Sequence, residues 1–227
     1  MVPEHATPPA WLSPLLRVLG AEPLAQPMDR KAYWRLLHLW QSEVVLPRLA
    51  EALPEHAPAV VTLQRLHQRA SLGLCGRTGE WRAAFRPVLL PTFRRAYDFE
   101  GAYAQAYDSA LAYGQAPSNQ AMIAGQFGDA EAFARHYAQL STEANAQAFA
   151  TANAAASSEV AARAYAHADE QACASVVGAL ARVCSWACAT SIEQRMALTT
   201  QMAAGLQRLA SQFNQHTSGR EAWINRD

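Results

Sequence analysis

The chain of 227 residues has little lysine, no long apolar run and no recognisable catalytic motif. Lys31 is the single lysine, so lysine chemistry is restricted to one residue. Because no run of about 18 apolar residues occurs, we expect no membrane span and no membrane partner. The first residues place no basic segment ahead of an apolar run, so they predict no secretory signal. The sequence therefore favours a cytoplasmic protein.

Motifs that carry chemistry are also missing. Among the four cysteines, Cys173, Cys184 and Cys188 would share one face of a continuous helix, where two thiolates could bind a soft metal. Their apolar neighbours and the lack of Cys-x-x-Cys favour core packing instead. The glycines of residues 73–79 predict a turn between helices, since no phosphate-binding motif surrounds them. The sequence thus predicts no cofactor and no metal site, and it favours a protein that is not an enzyme.

Helical patterns, in contrast, cover most of the chain. Apolar residues recur at helical spacing, alanine is abundant, and alternation typical of strands is almost absent. We predict an all-α fold, a multi-helix bundle of alanine-rich helices with an N-terminal helical subdomain rich in tryptophan and leucine. Residues 1–28 are assigned to an irregular N-terminal segment and a short helix. Residues 29–214 are assigned to one helical domain with a sub-boundary near 73–79. Residues 215–227 are assigned to a polar tail.

Local signals place several helix ends. Asp29 and Asp129 are predicted N-caps, Pro47 is predicted to kink or divide its helix, and Pro87 and Pro91 are predicted to interrupt the next one. Residues 130–174 contain neither proline nor glycine. This stretch fits one long helix or two helices divided at residues 154–158.

Alanine-rich helices bury little side-chain area, so their stability depends on close approach of the backbones. We expect the helices of residues 101–190 to pack tightly, with aromatic side chains such as Tyr107 and Phe149 filling the gaps.

The formal net charge is zero, but the two signs are separated along the chain. Residues 65–95 contain seven arginines and one acid, and residues 96–175 contain nine acids and two arginines. Three interpretations follow: internal pairing of the two regions, an anion-binding surface on the first, or a partner-binding surface on the second. The candidate anion-binding residues are Arg65, Arg69, Arg82, Arg86, Arg94 and Arg95.

The first functional hypothesis is an interaction protein, an adaptor, regulator or neutralising (immunity-like) protein that binds a protein partner. Asp98, Glu100 and Asp108 are its candidate contact residues, because they lie in the acidic, aromatic-rich segment. Homo-oligomerisation stays open. A weaker alternative is nucleic-acid binding through residues 65–95.

The second hypothesis is a helical enzyme or small-molecule-binding protein with a pocket between helices. Lone histidines usually carry no ligand role, so we expect the seven histidines at the surface or partly buried. The candidate pocket residues are Tyr103, Tyr107, Tyr137, Tyr165, His136, Glu143 and His167.

Overall fold

The computed structural model describes residues 8–22, 24 and 28–224, with side chains through Phe213. Every regular element in these residues is helical, which confirms the predicted all-α bundle. No helix among them is long and apolar enough to cross a bilayer. The α-helices are α1 (Ser13–Leu19), α2 (Arg30–Trp40), α3 (Leu46–Ala52), α4 (Ala57–Ser71), α5 (Thr78–Arg95), α6 (Phe99–Gln115), α7 (Gln120–Phe127), α8 (Ala130–His167), α9 (Glu170–Ala187) and α10 (Ile192–Ile224).

Aspartate caps begin several of these helices. The Asp29 carboxylate accepts the backbone N–H of Ala32 at 2.7 Å, and Asp129 accepts that of Ala132 at 2.7 Å. Both predicted caps are therefore confirmed. Each satisfies one of the amide groups that the first turn of a helix leaves without a partner.

Pro47 is accommodated by a wide turn. The π-helical segment Gln41–Val45 joins α2 to α3, and the Leu46 N–H donates to the carbonyl of Gln41, five residues back. In α-helical geometry the Pro47 ring would clash with the carbonyl four residues earlier. The wider turn removes that clash, so the helical chain continues past Pro47.

The prediction that Pro87 and Pro91 interrupt their helix is wrong. Helix α5 continues through both prolines and ends at Arg95, so the break falls at residues 96–98. Pro87 is exposed and Pro91 is half-buried, and the opposite face buries Trp81 and Phe85. Packing of that apolar face outweighs the two backbone hydrogen bonds that the prolines remove.

Residues 130–174 form neither one helix nor two helices divided at residues 154–158. Helix α8 is continuous through 154–158, and the break falls at Ala168 and Asp169, before α9 begins. Helix α8 contains 38 residues, a length of about 57 Å at the standard rise per residue. Helices α5 and α6 run antiparallel to it, one after the other. Thr78 meets His167 at one end of this pairing, and Gly114 meets Ala130 at the other.

A stripe of small residues forms the seam between these helices. On α8 the buried residues recur every four positions, and a Cβ on Gly114 of α6 would lie 3.1 Å from the Ala130 Cβ. The predicted close packing is confirmed here, because such contacts need backbones near the short end of interhelical distances. The stripe consists of Ala134, Ala138, Thr142, Ala146, Ala150, Ala154 and Ser158.

The aromatic side chains expected to fill gaps lie beside the seam. Tyr107 stacks on Tyr103 along α6, with ring centroids 6.4 Å apart. Phe149 packs against Phe93 and Tyr97 at 6.0 and 5.5 Å, and 40% of its surface stays exposed. These rings therefore cover the edges of the seam and leave its centre to alanine.

The hydrophobic core is built by the remaining helices, including the Trp- and Leu-rich first third. It extends from Trp11 to Ala210, and on α8 its members begin only at Ala150. Leu66 and Trp81, on either side of residues 73–79, belong to the same core. The backbone of α10 stays helical to Ile224, beyond the predicted start of the polar tail.

Residues 98–146 form a projection that we call the arm, which comprises α6, α7 and the first part of α8. Helices α6 and α7 pack on α8 and on each other, and their packing elsewhere in the described chain is at most marginal. The arm thus buries its own small-residue seam but adds little to the core.

Candidate functional site

The structure does not gather the predicted pocket residues at one site. His136 and His167 are 31 residues apart on the same helix, a separation of about 46 Å. His167 forms a hydrogen bond with Thr78 at 2.9 Å, and exposed Glu143 accepts one from Gln139. A single pocket made of the predicted residues is therefore excluded within one copy of the chain. The remaining members lie on α6 (Tyr103 and Tyr107), at the end of the arm (Tyr137) and in the core (Tyr165).

The far end of the arm carries a cluster of aromatic rings, which we call the tip cluster. Phe127 lies 5.1 Å from Phe133 and 5.8 Å from His136, while Phe133 lies 6.0 Å from Tyr113 and 5.9 Å from Tyr137 (ring centroids). Aromatic pairs at these separations stabilise one another. The cluster therefore forms a preformed apolar surface.

Several apolar side chains of the arm face solvent. Tyr137 is 48% exposed and Leu140, three residues later on the same face of α8, is 55% exposed. Tyr113 and Met122 are also about half exposed. Exposed aromatic and aliphatic side chains that adjoin one another mark interaction surfaces more often than isolated ones do.

The arm is strongly acidic. It contains six carboxylates against one arginine, Arg135, a net charge of −5. Asp98 accepts the Gly101 N–H at 3.1 Å and caps α6, and Glu100 lies in the first turn of that helix. These two predicted contact residues therefore also stabilise the helix end, whereas Asp108 lies exposed in mid-helix.

Most of the predicted anion-binding arginines have partners inside the fold. The ion pair of Arg82 with Glu159, 2.6 Å long, joins α5 to α8 and so links the basic segment to the acidic one. This is the internal pairing that the first interpretation of the charge pattern expects. Arg65 and Arg86 are exposed. The other pairs are Arg69 with Glu80 (2.8 Å), Arg94 with the Gln147 amide (2.8 Å) and Arg95 with the Ala187 carbonyl (2.7 Å).

The cysteines pack in or near the core. Cys173 and Cys184 are buried, and Cys188 is half-buried. Burial raises the pKa of Cys173 to about 12 and that of Cys188 to about 11, so both thiols are protonated near neutral pH. No group of three or more potential metal ligands occurs in the described residues. The core-packing interpretation fits these environments.

A buried histidine pair lies between α2 and α4. The Nδ1 atoms of His38 and His67 are 3.0 Å apart, and the residues are 3% and 1% exposed. The expectation that histidines lie at the surface or partly buried is wrong for this pair, because both occupy the apolar face of a helix. One neutral ring donates its Nδ1–H and the other accepts it.

Burial disfavours the charged form of both rings. It lowers the pKa of His38 to about 4. Burial, together with the proximity of His38, lowers the pKa of His67 well below its usual 6.5. Both histidines are therefore neutral at pH 7.

Aromatic rings enclose this pair. Trp81 lies 4.8 Å from His67 and 5.7 Å from His38, and Tyr165 lies 4.9 and 5.3 Å from the same rings. Trp34 lies edge-on to Tyr165 at 6.3 Å. We call these five residues the aromatic–histidine cluster.

The cluster contains buried polar atoms that lack partners. His67 Nε2, Trp34 Nε1 and Trp81 Nε1 form no hydrogen bond. The Tyr165 hydroxyl faces the Gln41 side chain without good hydrogen-bond geometry, and burial raises its pKa well above 10. Folded proteins leave few such atoms unpaired, so their concentration in one cluster singles this region out.

Comparison with known protein families, curated proteins and solved structures finds no match to this chain. Sequence reasoning missed the aromatic–histidine cluster. The available signal was the position of His38 and His67 among leucines of two amphipathic helices, but their contact across 29 residues carries no local pattern.

Proposed function

We propose that the protein binds a protein partner through its arm, and that the partner offers an apolar groove bordered by basic residues. The observation that carries this proposal is the tip cluster, whose member Tyr137 is exposed and adjoins exposed Leu140. Aromatic side chains at an exposed position supply large contact area at low entropic cost, which is typical of binding hot spots.

The position of the arm supports this role. Its helices pack on each other along the small-residue seam and contribute little to the core, so binding at the tip requires no rearrangement of the rest of the fold. A stiff helical hairpin presents its side chains in a fixed arrangement. Preorganised surfaces lose less entropy on association than flexible segments do.

The charge of the arm favours a basic partner surface over the arm of a second copy. Two arms, each with a net charge of −5, would repel one another at close range. Basic residues on the partner would instead steer association and would make the affinity fall as salt rises. An adaptor, regulatory or neutralising role is compatible with such a surface.

We expect the double variant Tyr137→Ala/Leu140→Ala to lose partner binding. Truncating aromatic and aliphatic hot-spot residues typically costs about 2 kcal/mol or more, a loss of about 30-fold in affinity. Alanine is the best helix former, so α8 itself is expected to stay folded. The measurement is quantitative affinity capture from a lysate of the source organism, followed by titration of the purified partner at two salt concentrations.

The matched control is Ile192→Ala/Met196→Ala, which removes apolar side chains of 65% and 67% exposure from α10. The proposal requires that one protein binds the wild type and this control alike, and that it is lost with the tip variant. Equal capture by the wild type and the tip variant, or an affinity that does not change with salt, would contradict the proposal. So would a failure to capture any protein.

A further inference from the structure

A second candidate site lies at the opposite end of α8 from the tip cluster. A cleft of about 670 Å³ opens between α2 and the turn that joins α4 to α5. This volume lies within the range of small-molecule pockets, about 300–1,000 Å³. Tyr165 in its wall is 28 residues from Tyr137 on the same helix, or about 42 Å. The cleft is therefore independent of the proposed partner surface.

The inner wall of the cleft is aromatic. Trp34, His38 and Tyr165, three members of the aromatic–histidine cluster, line it. Trp34 and Tyr165 are each more than nine-tenths buried, so they form the floor of the cleft. A flat aromatic ring bound in the cleft would pack against this floor.

The rim of the cleft is cationic. Arg30, Lys31 and Arg35 line it, and no carboxylate is among the described residues of the lining. Arg30 is held by Glu170 at 2.5 Å, and the Arg35 guanidinium lies over the Phe213 ring. Lys31 forms no ion pair within the described residues, so its ammonium group is available to an anion.

We infer that this cleft binds a flat aromatic molecule that carries one carboxylate. The ring system lies against Trp34 and Tyr165, and the carboxylate pairs with Lys31 at the rim. Apolar walls with a few converging polar groups are the usual construction of small-molecule sites, in which the polar groups set orientation and specificity. The ammonium–carboxylate contact is the feature that selects anions over neutral molecules of the same shape.

The test compares 2-naphthoate with 2-naphthamide, which keeps the ring system but has no charge. Binding is measured by isothermal titration calorimetry on the full chain. We expect the wild type to bind 2-naphthoate about tenfold more tightly than 2-naphthamide, because one charge-assisted contact contributes about that factor. In Lys31→Gln the preference disappears, because naphthoate binding falls to the level of the amide. Arg17→Gln, which removes a cation from a separate groove between α1 and α9, leaves the preference intact.

The rate of Cys75 alkylation reports whether the ligand binds in the cleft. It lines the cleft and is exposed, whereas Cys173 and Cys184 are buried and Cys188 is half-buried with a raised pKa. We expect 2-naphthoate to slow the alkylation of Cys75 by N-ethylmaleimide in the wild type, and to slow it less in Lys31→Gln. Equal affinities for acid and amide, or unchanged alkylation with the ligand at about 1 mM, would overturn the inference. Neither result bears on partner binding by the arm.

Discussion

Acidification is expected to destabilise the fold through the buried histidine pair. Between pH 7 and pH 4, His38 alone lowers the free energy of unfolding by about 3 kcal/mol, and His67 acts in the same direction. The unfolded chain protonates both rings near pH 6.5, while the folded protein keeps them neutral. The contribution of the neutral pair to stability is therefore fully present above pH 6.5. It is lost as the pH falls toward the folded pKa of His38, about 4.

The double variant His38→Leu/His67→Leu isolates this effect. Replacing both partners with apolar groups of similar size leaves neither member of their hydrogen bond without its partner, so stability at pH 7 is retained. Urea unfolding at several pH values gives the free energies of both proteins. We expect the curve of the variant to be flatter than the wild-type curve by about 3 kcal/mol or more between pH 7 and pH 4. Identical pH dependence of the two proteins would show that the histidines titrate normally.

Truncating Trp81 is expected to have the largest effect of any single substitution in the aromatic–histidine cluster. Trp81 is 0% exposed, and the ring contacts both histidines, Phe85 and Tyr165. Trp81→Ala removes these contacts and leaves a cavity that packed neighbours fill only in part. We expect the free energy of unfolding at pH 7 to fall by about 3–5 kcal/mol, measured by urea unfolding.

Trp186→Ala is the matched control for Trp81→Ala. Trp186 is 41% exposed, and its main described contact is the Arg195 guanidinium, 4.2 Å above the ring. A cation–π contact at such a site contributes about 0.5–1 kcal/mol, so this variant is expected to lose no more than about that amount. Equal losses in the two variants would mean that Trp81 is not the centre of a packed cluster.

The sequence predicted those features of the fold that depend on neighbouring residues. Asp29 and Asp129 begin helices because a short carboxylate can reach the amides of its own first turn. The close packing along α8 follows from alanine at every fourth position. The prediction for Pro87 and Pro91 was wrong because local propensity alone does not determine where a helix ends. The burial of Trp81 and Phe85 keeps α5 helical through both prolines.

The candidate sites depended on contacts that no local pattern reveals. His136 and His167 are both polar residues in alanine-rich sequence, but a straight α8 separates them by about 46 Å. His38 and Tyr165 are 127 positions apart in sequence, and only the tertiary fold brings the Tyr165 ring of α8 against His38 of α2 and His67 of α4. The acidic and aromatic composition of the arm was visible, whereas its position outside the core was not.

A spin-label distance across α8 tests whether the arm stands away from the core. Labels are placed at exposed Gln139 and Arg163, in a Cys75→Ser background because Cys75 is an exposed thiol. If α8 is one straight helix, 24 residues separate the labels by about 36 Å, and pulsed electron paramagnetic resonance gives one narrow distribution near that value. A distribution centred well below about 30 Å would mean that the helix folds back near residues 154–158. The arm and its tip cluster would then not project from the protein as described.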